Sequence, residues 1–302
     1  MNGTAASSTE SNELRMGVSV IILSFNSELS IAQTISSAAE ISSDIHVVDS
    51  FSNDSTCDIA CRLGVNLVQH PFINYSSQRN WAIDNLPLEH EWELHLDADE
   101  QLSSELITEL KQHSPGQKGC VGYYIARLVR FLGKPIRHGG MFPIWHMRLF
   151  RRGAGRCESR EYDQHFVVSG PTGRLRGWLI DDHRSSLSGW IQRHNKWSDA
   201  EVREMSELHG RRVLIAPKLW GTPPEHKRYL KEAYQRLPLL ARAFLLFGYR
   251  YFLRLGFLDG KEGLIFFVLQ TFWFRFVVDA KLFEQRLLSD NMARVGERAQ
   301  LW

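Results

Sequence analysis

Residues 18 to 25 read VSVIILSF, a run that is apolar almost throughout and no longer than a strand. A strand this uniformly apolar must be covered on both faces, which is the situation of a central parallel strand with helices above and below it. The residues that follow keep the same rhythm. Ile31, Ile35 and Ala38 recur at helical spacing, and DIHVVDS (44–50) is short and β-branched again. SNDSTCDIACRLG (52–64) offers N-cap residues, a short helix and Gly64 as a stop before the strand-like VNLVQH. A helix from about Ser76 to Asn85 then leads into EWELHLDADE, where Trp92, Leu94 and Leu96 alternate with polar residues. The alternation predicts an α/β fold, an open Rossmann-like sheet flanked by helices, with ligands outside the carboxyl ends of the strands.

The pattern changes after residue 120. GYYIARLVRFLG, WHMRLFRRG and QHFVVSG are aromatic and punctuated by glycine, as expected of antiparallel strands added to the first half, making the sheet mixed. SGWIQRHNKWSDAEVREMSELHG reads as a helix and APKLWGTPPEHKR as a connector. The expected organisation is a disordered tail at 1–16, a catalytic unit at 17–186 and a helical extension at 187–302. Within the unit, a nucleotide-binding half extends to about 110 and an acceptor half covers 111–186. The polar tail has no apolar stretch of the kind a signal peptide needs. Cys57, Cys61, Cys120 and Cys157 match no zinc-site spacing, which fits a reducing cytoplasm. A formal net charge of +2 argues against a chain built to coat nucleic acid.

ELHLDADEQL (93–102) places Asp97, Asp99 and Glu100 at an expected strand end. In an extended chain residues two apart project to the same side, so Asp97 and Asp99 can face one site. Two carboxylates attract a hard divalent cation, Mg²⁺ or Mn²⁺, of the kind that completes its shell with substrate phosphates. The competing reading is a solvated acidic turn before the helix SSELITELKQH.

ILSFNSE, VVDSFSNDST, NYSSQRNWAI and LHLDADE stand in the order and spacing of the family 2 glycosyltransferases, and residues 17 to about 110 resemble that family clearly. YDQHF, DDHRSSLSGWIQRHNKWSDAE and RLGFLDGKEG further resemble its branch of lipopolysaccharide-core and exopolysaccharide glucosyltransferases. The resemblance implies a GT-A fold and inverting transfer of a sugar from a nucleotide donor. It assigns Ser24, Asn26 and Glu28 to the loop that approaches the nucleotide, although the family commonly has Thr where Ser24 stands. It assigns Asp49 to the pyrimidine edge, where a carboxylate accepting an imide N–H would favour uracil. A turn cap with Asn53 and Asp54 is the alternative there. Arg79 falls beside the donor diphosphate, Asp97 at the ribose or a metal-bound water, and Asp99 on the metal.

An inverting transfer needs a base near the acceptor hydroxyl. In CESREYDQHFVV the candidates are Glu158, Glu161 and Asp163, with Asp163 first and Glu161 second. Relatives carry a His-Glu pair in this region, and Gln164 stands where that Glu is expected. His183, in DDHR, resembles the later histidine that joins the metal in other GT-A enzymes. Trp190 and Trp197 could stack on a sugar or sit in a core.

The segment from Leu237 is rich in Leu, Phe and Arg, and its longest uncharged run, Gly263 to Phe274, falls short of the ~20 residues that span a bilayer. Arg242, Arg250 and Arg254 lie within about 120° on a helical wheel, a basic stripe beside an apolar face. GFLDGKEG breaks the run into two expected helices, which could lie on an anionic membrane or pack on the protein. The reading is a metal-dependent hexosyltransferase, with glucose from a UDP-sugar as the first donor, at the cytoplasmic face of the membrane with a lipid-linked or surface-polysaccharide acceptor. Another UDP-hexose or GDP-mannose, or a non-catalytic nucleotide-sugar-binding scaffold, are the alternatives.

Overall fold

The computed structural model describes residues 17–112, 116, 119–159, 164–184, 186–207 and 215–299, with side chains as far as 288. The tail expected at 1–16 lies outside them. In chain order come β1 (Val18–Ser24), α1 (Ile31–Ala39), β2 (Ile45–Asp49), α2 (Thr56–Arg62), β3 (Asn66–Gln69), α3 (Tyr75–Asn85) and β4 (Trp92–Asp97). β1 lies parallel between β2 and β4, so that Ile21 faces His46 on one side and His95 on the other, and β3 pairs parallel outside β2. Every residue of β1 and β2 is buried, as coverage of both faces requires. Val18, Val20 and Ile22 pack with Ile31 and Ile35 of α1, whereas Ile21 and Leu23 point the opposite way, toward Ala82 of α3.

The second half adds β5 (Glu100–Leu102), α4 (Ser104–Gln112), β6 (Gly122–Phe131), β7 (Lys134–Pro135), β8 (Ile144–Arg151), β9 (Gly155–Cys157), β10 (Phe166–Val168) and β11 (Thr172–Asp182). The large sheet runs β3-β2-β1-β4-β8-β6-β11-β5, with β7 on β6, while β9 and β10 pair separately. β8 is antiparallel to β4 and β6, so the sheet is mixed as expected. Its order has a geometric consequence. Only Ala98 and Asp99 join β4 to β5, yet β8, β6 and β11 lie between those two strands along the sheet path. Four strand spacings amount to about 19 Å, far beyond the reach of two residues, so the sheet must curl until the end of β11 meets the end of β4. The Asp182 N–H, donating to the Asp99 carbonyl at 3.0 Å, marks that meeting.

Beyond the sheet stand α5 (Leu187–Glu207), α6 (Pro223–Gln235), α7 (Ala241–Gly248), α8 (Gly260–Phe267) and α9 (Phe274–Ala299). The expected connector is corrected at its second half. Pro223 and Pro224 open α6, where a missing N–H costs nothing, and the Thr222 N–H donates to Glu225 Oε2 at 2.8 Å in a capping box. Wider, π-type turns at Tyr249–Leu253 and Val268–Trp273 extend α7 and join α8 to α9, and the chain reverses at Gly256–Asp259 into a helical hairpin.

The hairpin packs on the protein along one side. Phe266 and Phe267 meet Val129 and Phe131 of β6 and Ile136 and Met141 of the loop after β7, and Phe274 and Val278 meet Val202 of α5. The expected basic stripe is corrected at Arg242. Its guanidinium is buried and its Nε donates to both oxygens of Asp279, at 2.9 and 3.0 Å, tying α7 to α9. The apolar length is corrected as well. The helical run Gly256–Leu288 is long and apolar enough to cross a membrane, although its uncharged core alone is not. A helix buried in a protein passes the same test, and this one is partly buried.

Candidate active site

The carboxyl ends of β1 and β2 are bound together by side chains. The Ser24 hydroxyl donates to Asp49 Oδ1 at 3.0 Å, and the Ser52 N–H donates to Asp49 Oδ2 at 2.7 Å. Burial works to raise the Asp49 carboxyl, but these donors together hold it below the usual range. Asn26 takes a left-handed backbone, φ 46°, and its Oδ1 accepts from the Asn53 N–H at 2.9 Å. Glu28 Oε2 accepts from the Ser55 N–H at 3.1 Å. Ser24, Asn26, Glu28 and Asp49 therefore share one edge. Asp49 is fully buried with both oxygens engaged, and it braces the turn through Ser52, where the sequence suggested Asn53 and Asp54.

Further along the same edge, α3 begins with an Asn74 cap and places Arg79 against β4. Arg79 Nη2 donates to Asp97 Oδ1 at 2.9 Å, with its guanidinium 5.2 Å from the Phe166 ring. Asp97 Oδ2 accepts from Arg148 at 2.7 Å, and the same arginine donates to Glu100 at 2.6 Å. Burial opposes the charge on Asp97, but Arg148 and then Arg79 outweigh it and hold the carboxyl far below its ordinary range. Burial instead dominates at Glu100 and pushes it up to about 7, against the pull of Arg148.

Asp99 turns away from this arginine pair. Its Oδ2 lies 2.6 Å from His183 Nδ1, which is 3.9 Å from Asp181 Oδ1. Burial raises the Asp181 carboxyl, and its Oδ1 is buried with no hydrogen-bond partner among the described residues. His183 is raised as well, because Asp181 and Asp99 outweigh the cost of burying its charge. The ligand atoms of Asp99, Asp181 and His183 all lie within 4.8 Å of one another. Two carboxylates, one of them with an orphaned buried oxygen, and an imidazole form a donor set that fits a divalent cation, Mg²⁺ or Mn²⁺, and the imidazole favours Mn²⁺. Asp97, expected to share the metal, is outside this group and occupied by arginines.

Asp181 was missed from sequence, although its signal was present. DDH places Asp181 and His183 two apart at a strand end, the same argument that linked Asp97 to Asp99. Arg148 had no such signal, because it reaches Asp97 only through the β4 to β8 pairing. Asp163 and Glu161, the expected bases, lie outside the described residues. Glu158 is buried, ion-paired with Arg228 of α6, and accepts from the His165 N–H at 2.9 Å, so it latches the loop to the extension. Trp190 is buried with its ring 3.4 Å from His194, and belongs to the core rather than to a sugar platform.

Residues 19–154 match the model of the family described as Glycosyl transferase family 2. A lipopolysaccharide core biosynthesis glycosyltransferase, LpsC of Rhizobium meliloti, is 26% identical over 217 residues, covering 70% of this chain and 78% of its own length. An uncharacterized glycosyltransferase of Rickettsia typhi is 34% identical over 118 residues, 38% of this chain and 40% of that protein. The match thus spans about 40% of the length of the Rickettsia relatives. Among solved structures, a Pyrobaculum calidifontis mannosyltransferase in complex with GDP-Man and Mn²⁺ superposes with a TM-score of 0.49 at 15% identity, covering 89% of this chain and 88% of the other.

Proposed function

We propose that this chain, a glycosyltransferase with a family 2 domain at residues 19–154, moves a hexose from a UDP-sugar to a lipid-linked or surface-polysaccharide acceptor, with inversion at the anomeric carbon. Glucose is the first donor sugar to test. The observation that carries the reading is the convergence of Asp99, Asp181 and His183 beside the Arg79 and Asp97 pair, where the curled sheet brings two strand ends together. In this reading 17–186 is the catalytic unit, with its nucleotide-binding half reaching to about 110, and 187–302 is the extension.

Each group then has a physical task. Ser24, Asn26, Glu28 and Asp49 shape the edge that receives the nucleoside. Arg79 offers a planar fork to the diphosphate while Asp97 holds it in place and faces the ribose. Asp99, Asp181 and His183 would hold a divalent cation, which would supply positive charge for the leaving nucleoside diphosphate. Asp163, or failing it Glu161, takes the proton of the acceptor hydroxyl, because an alcohol is a weak nucleophile until that proton leaves. The likeness to a lipopolysaccharide core enzyme supports the acceptor class and a place at the inner face of the cytoplasmic membrane.

UDP release from a panel of UDP-sugars, with and without Mn²⁺ or Mg²⁺, tests the reading against Asp99→Ala. Metal-dependent release from one donor that is lost in Asp99→Ala is the expected result. Release from GDP-mannose alone would move the donor, and no release with any nucleotide sugar and a membrane extract would end the catalytic reading.

A further inference from the structure

The side of the hairpin turned away from the protein is apolar. Phe244, Leu245, Tyr249, Phe252 and Leu253 follow one another at helical spacing along α7 and its extension, and all are exposed, Leu253 by 75%. Phe257 and Leu258 continue the surface around the turn, and Leu264, Ile265 and Val268 carry it up the return helix. Within the most apolar window of the helical run only 39% is buried in the protein. A core helix would be covered, and a scattered surface would not be continuous in this way.

Two arginines sit at the base of this surface, and among the described residues no acid pairs with either. Arg250 is half-buried, its one hydrogen bond is from Nη1 to the Met141 thioether at 2.8 Å, and it forms no ion pair among the described residues. Burial, with Arg275 and Arg254 nearby, draws its pKa down to about 10. Arg254 is exposed and, among the described residues, its side chain donates to the Tyr249 hydroxyl alone, at 3.2 Å. Neither neighbouring acid pairs with them among the described residues. Asp259 accepts from the His138 N–H at 2.9 Å and lies 2.6 Å from His138 Nδ1, and Glu262 is on the return helix. The same bonds fix the turn to the loop before β8, and Gly139 at φ 65° lets that loop lie against Phe267, where a Cβ would come within 2.2 Å of the ring.

We propose that the hairpin tip seats this chain on an anionic lipid bilayer, with its exposed Phe and Leu side chains in the hydrocarbon boundary and Arg250 and Arg254 on lipid phosphates. Guanidinium groups lacking carboxylates at the edge of a continuous apolar surface match the two-part chemistry of a phospholipid, a phosphate joined to a hydrocarbon chain. A second copy of this chain would bring another pair of unpaired arginines to the contact, which charge repulsion disfavours. The seat is a bolted hairpin that lies in one leaflet. The inference rests on the reading of a membrane-bound acceptor, but its test uses no sugar chemistry.

Flotation of the full chain with phosphatidylcholine vesicles, with and without phosphatidylglycerol, tests it at low and high salt. The chain should float with the anionic vesicles and release as salt rises. Arg250→Gln with Arg254→Gln should weaken binding by about thirtyfold, and Leu253→Ser with Phe257→Ser should abolish flotation, while thermal unfolding shows both variants folded. Equal flotation on neutral vesicles, or an arginine variant that floats like the parent, would overturn the phosphate seat. A chain that ignores vesicles and sediments as a dimer disrupted by the Leu253 and Phe257 changes would reassign the surface to a second copy. UDP release, measured separately, distinguishes failure of the docking from failure of the enzyme reading.

Discussion

Arg148 and Arg250 are both drawn out of water, and their surroundings differ completely. Arg148 has a side chain 5% exposed and is held by two carboxylates, Asp97 and Glu100, in the middle of the sheet. Arg250 has a thioether and, among the described residues, no acid. A buried ion pair contributes little net stability, but removing one partner leaves the other charge stranded. The first arginine thus secures a structure that exists without ligand. The second keeps its charge available, which is tolerable only where a counter-charge can arrive from outside. Among the described residues the charge of Arg148 is matched inside the sheet, and that of Arg250 at the hairpin tip is not.

The largest expected effect breaks that contrast directly. Arg148→Met should destabilise the chain by about 3–5 kcal/mol in urea unfolding, because buried Glu100 loses its arginine and Asp97 one of its two, whereas Arg250→Met should stay within about 1 kcal/mol. Equal losses at the two positions would mean that Arg250 has a partner in the folded chain after all. Next, Asp99→Ala should lower metal-dependent donor turnover on the order of a hundredfold, with unfolding nearly unchanged. Asp181→Asn should weaken Mn²⁺ binding in a calorimetric titration by roughly tenfold. An Asp181 variant that binds Mn²⁺ like the parent would remove it from the ligand set.

The extension should respond to mild acid, as should the sheet, where burial also lowers His95 and His146. His194 is buried under Trp190 and hydrogen-bonded to Gln270, and burial lowers it from its ordinary 6.5 to about 4. As pH falls below 6.5 the unfolded chain takes up this proton first. The stability contributed by a neutral His194 is therefore complete above 6.5 and lost progressively toward 4. The loss amounts to about 3 kcal/mol at most. His194→Gln should flatten the pH dependence of thermal unfolding in that window, and an unchanged slope would mean that the ring is protonated in place. The smallest effect is expected for Leu253→Ser, which should leave unfolding within about 0.5 kcal/mol because the side chain is already in water.

Much of the first half was legible in advance, for a local reason. The continuous apolar strands, the helical spacing after each and the acids at the end of β4 are properties of neighbouring residues, and the elements stand where those residues put them. The extension was read less well. PPEHKR reads as a connector only if the proline N–H is missed, and in the first turn of α6 it is not. Arg242 belongs to a basic stripe only if nothing acidic faces it, and Asp279 on the opposite arm does. The hairpin itself was announced by its glycines.

The sequence by itself determined the αβ alternation, the carboxyl-edge loops of Ser24 and Asp49, and the cluster of acids at the end of β4, since each rests on periodicity or on residues a few positions apart. Only the tertiary structure decided which acids act together. The two-residue link between β4 and β5 forces the sheet to curl, and the curl carries Asp181 and His183 to Asp99 while Arg148 claims Asp97. That choice depends on strand order, and strand order is settled by contacts between residues far apart in the chain, where local spacing carries no information.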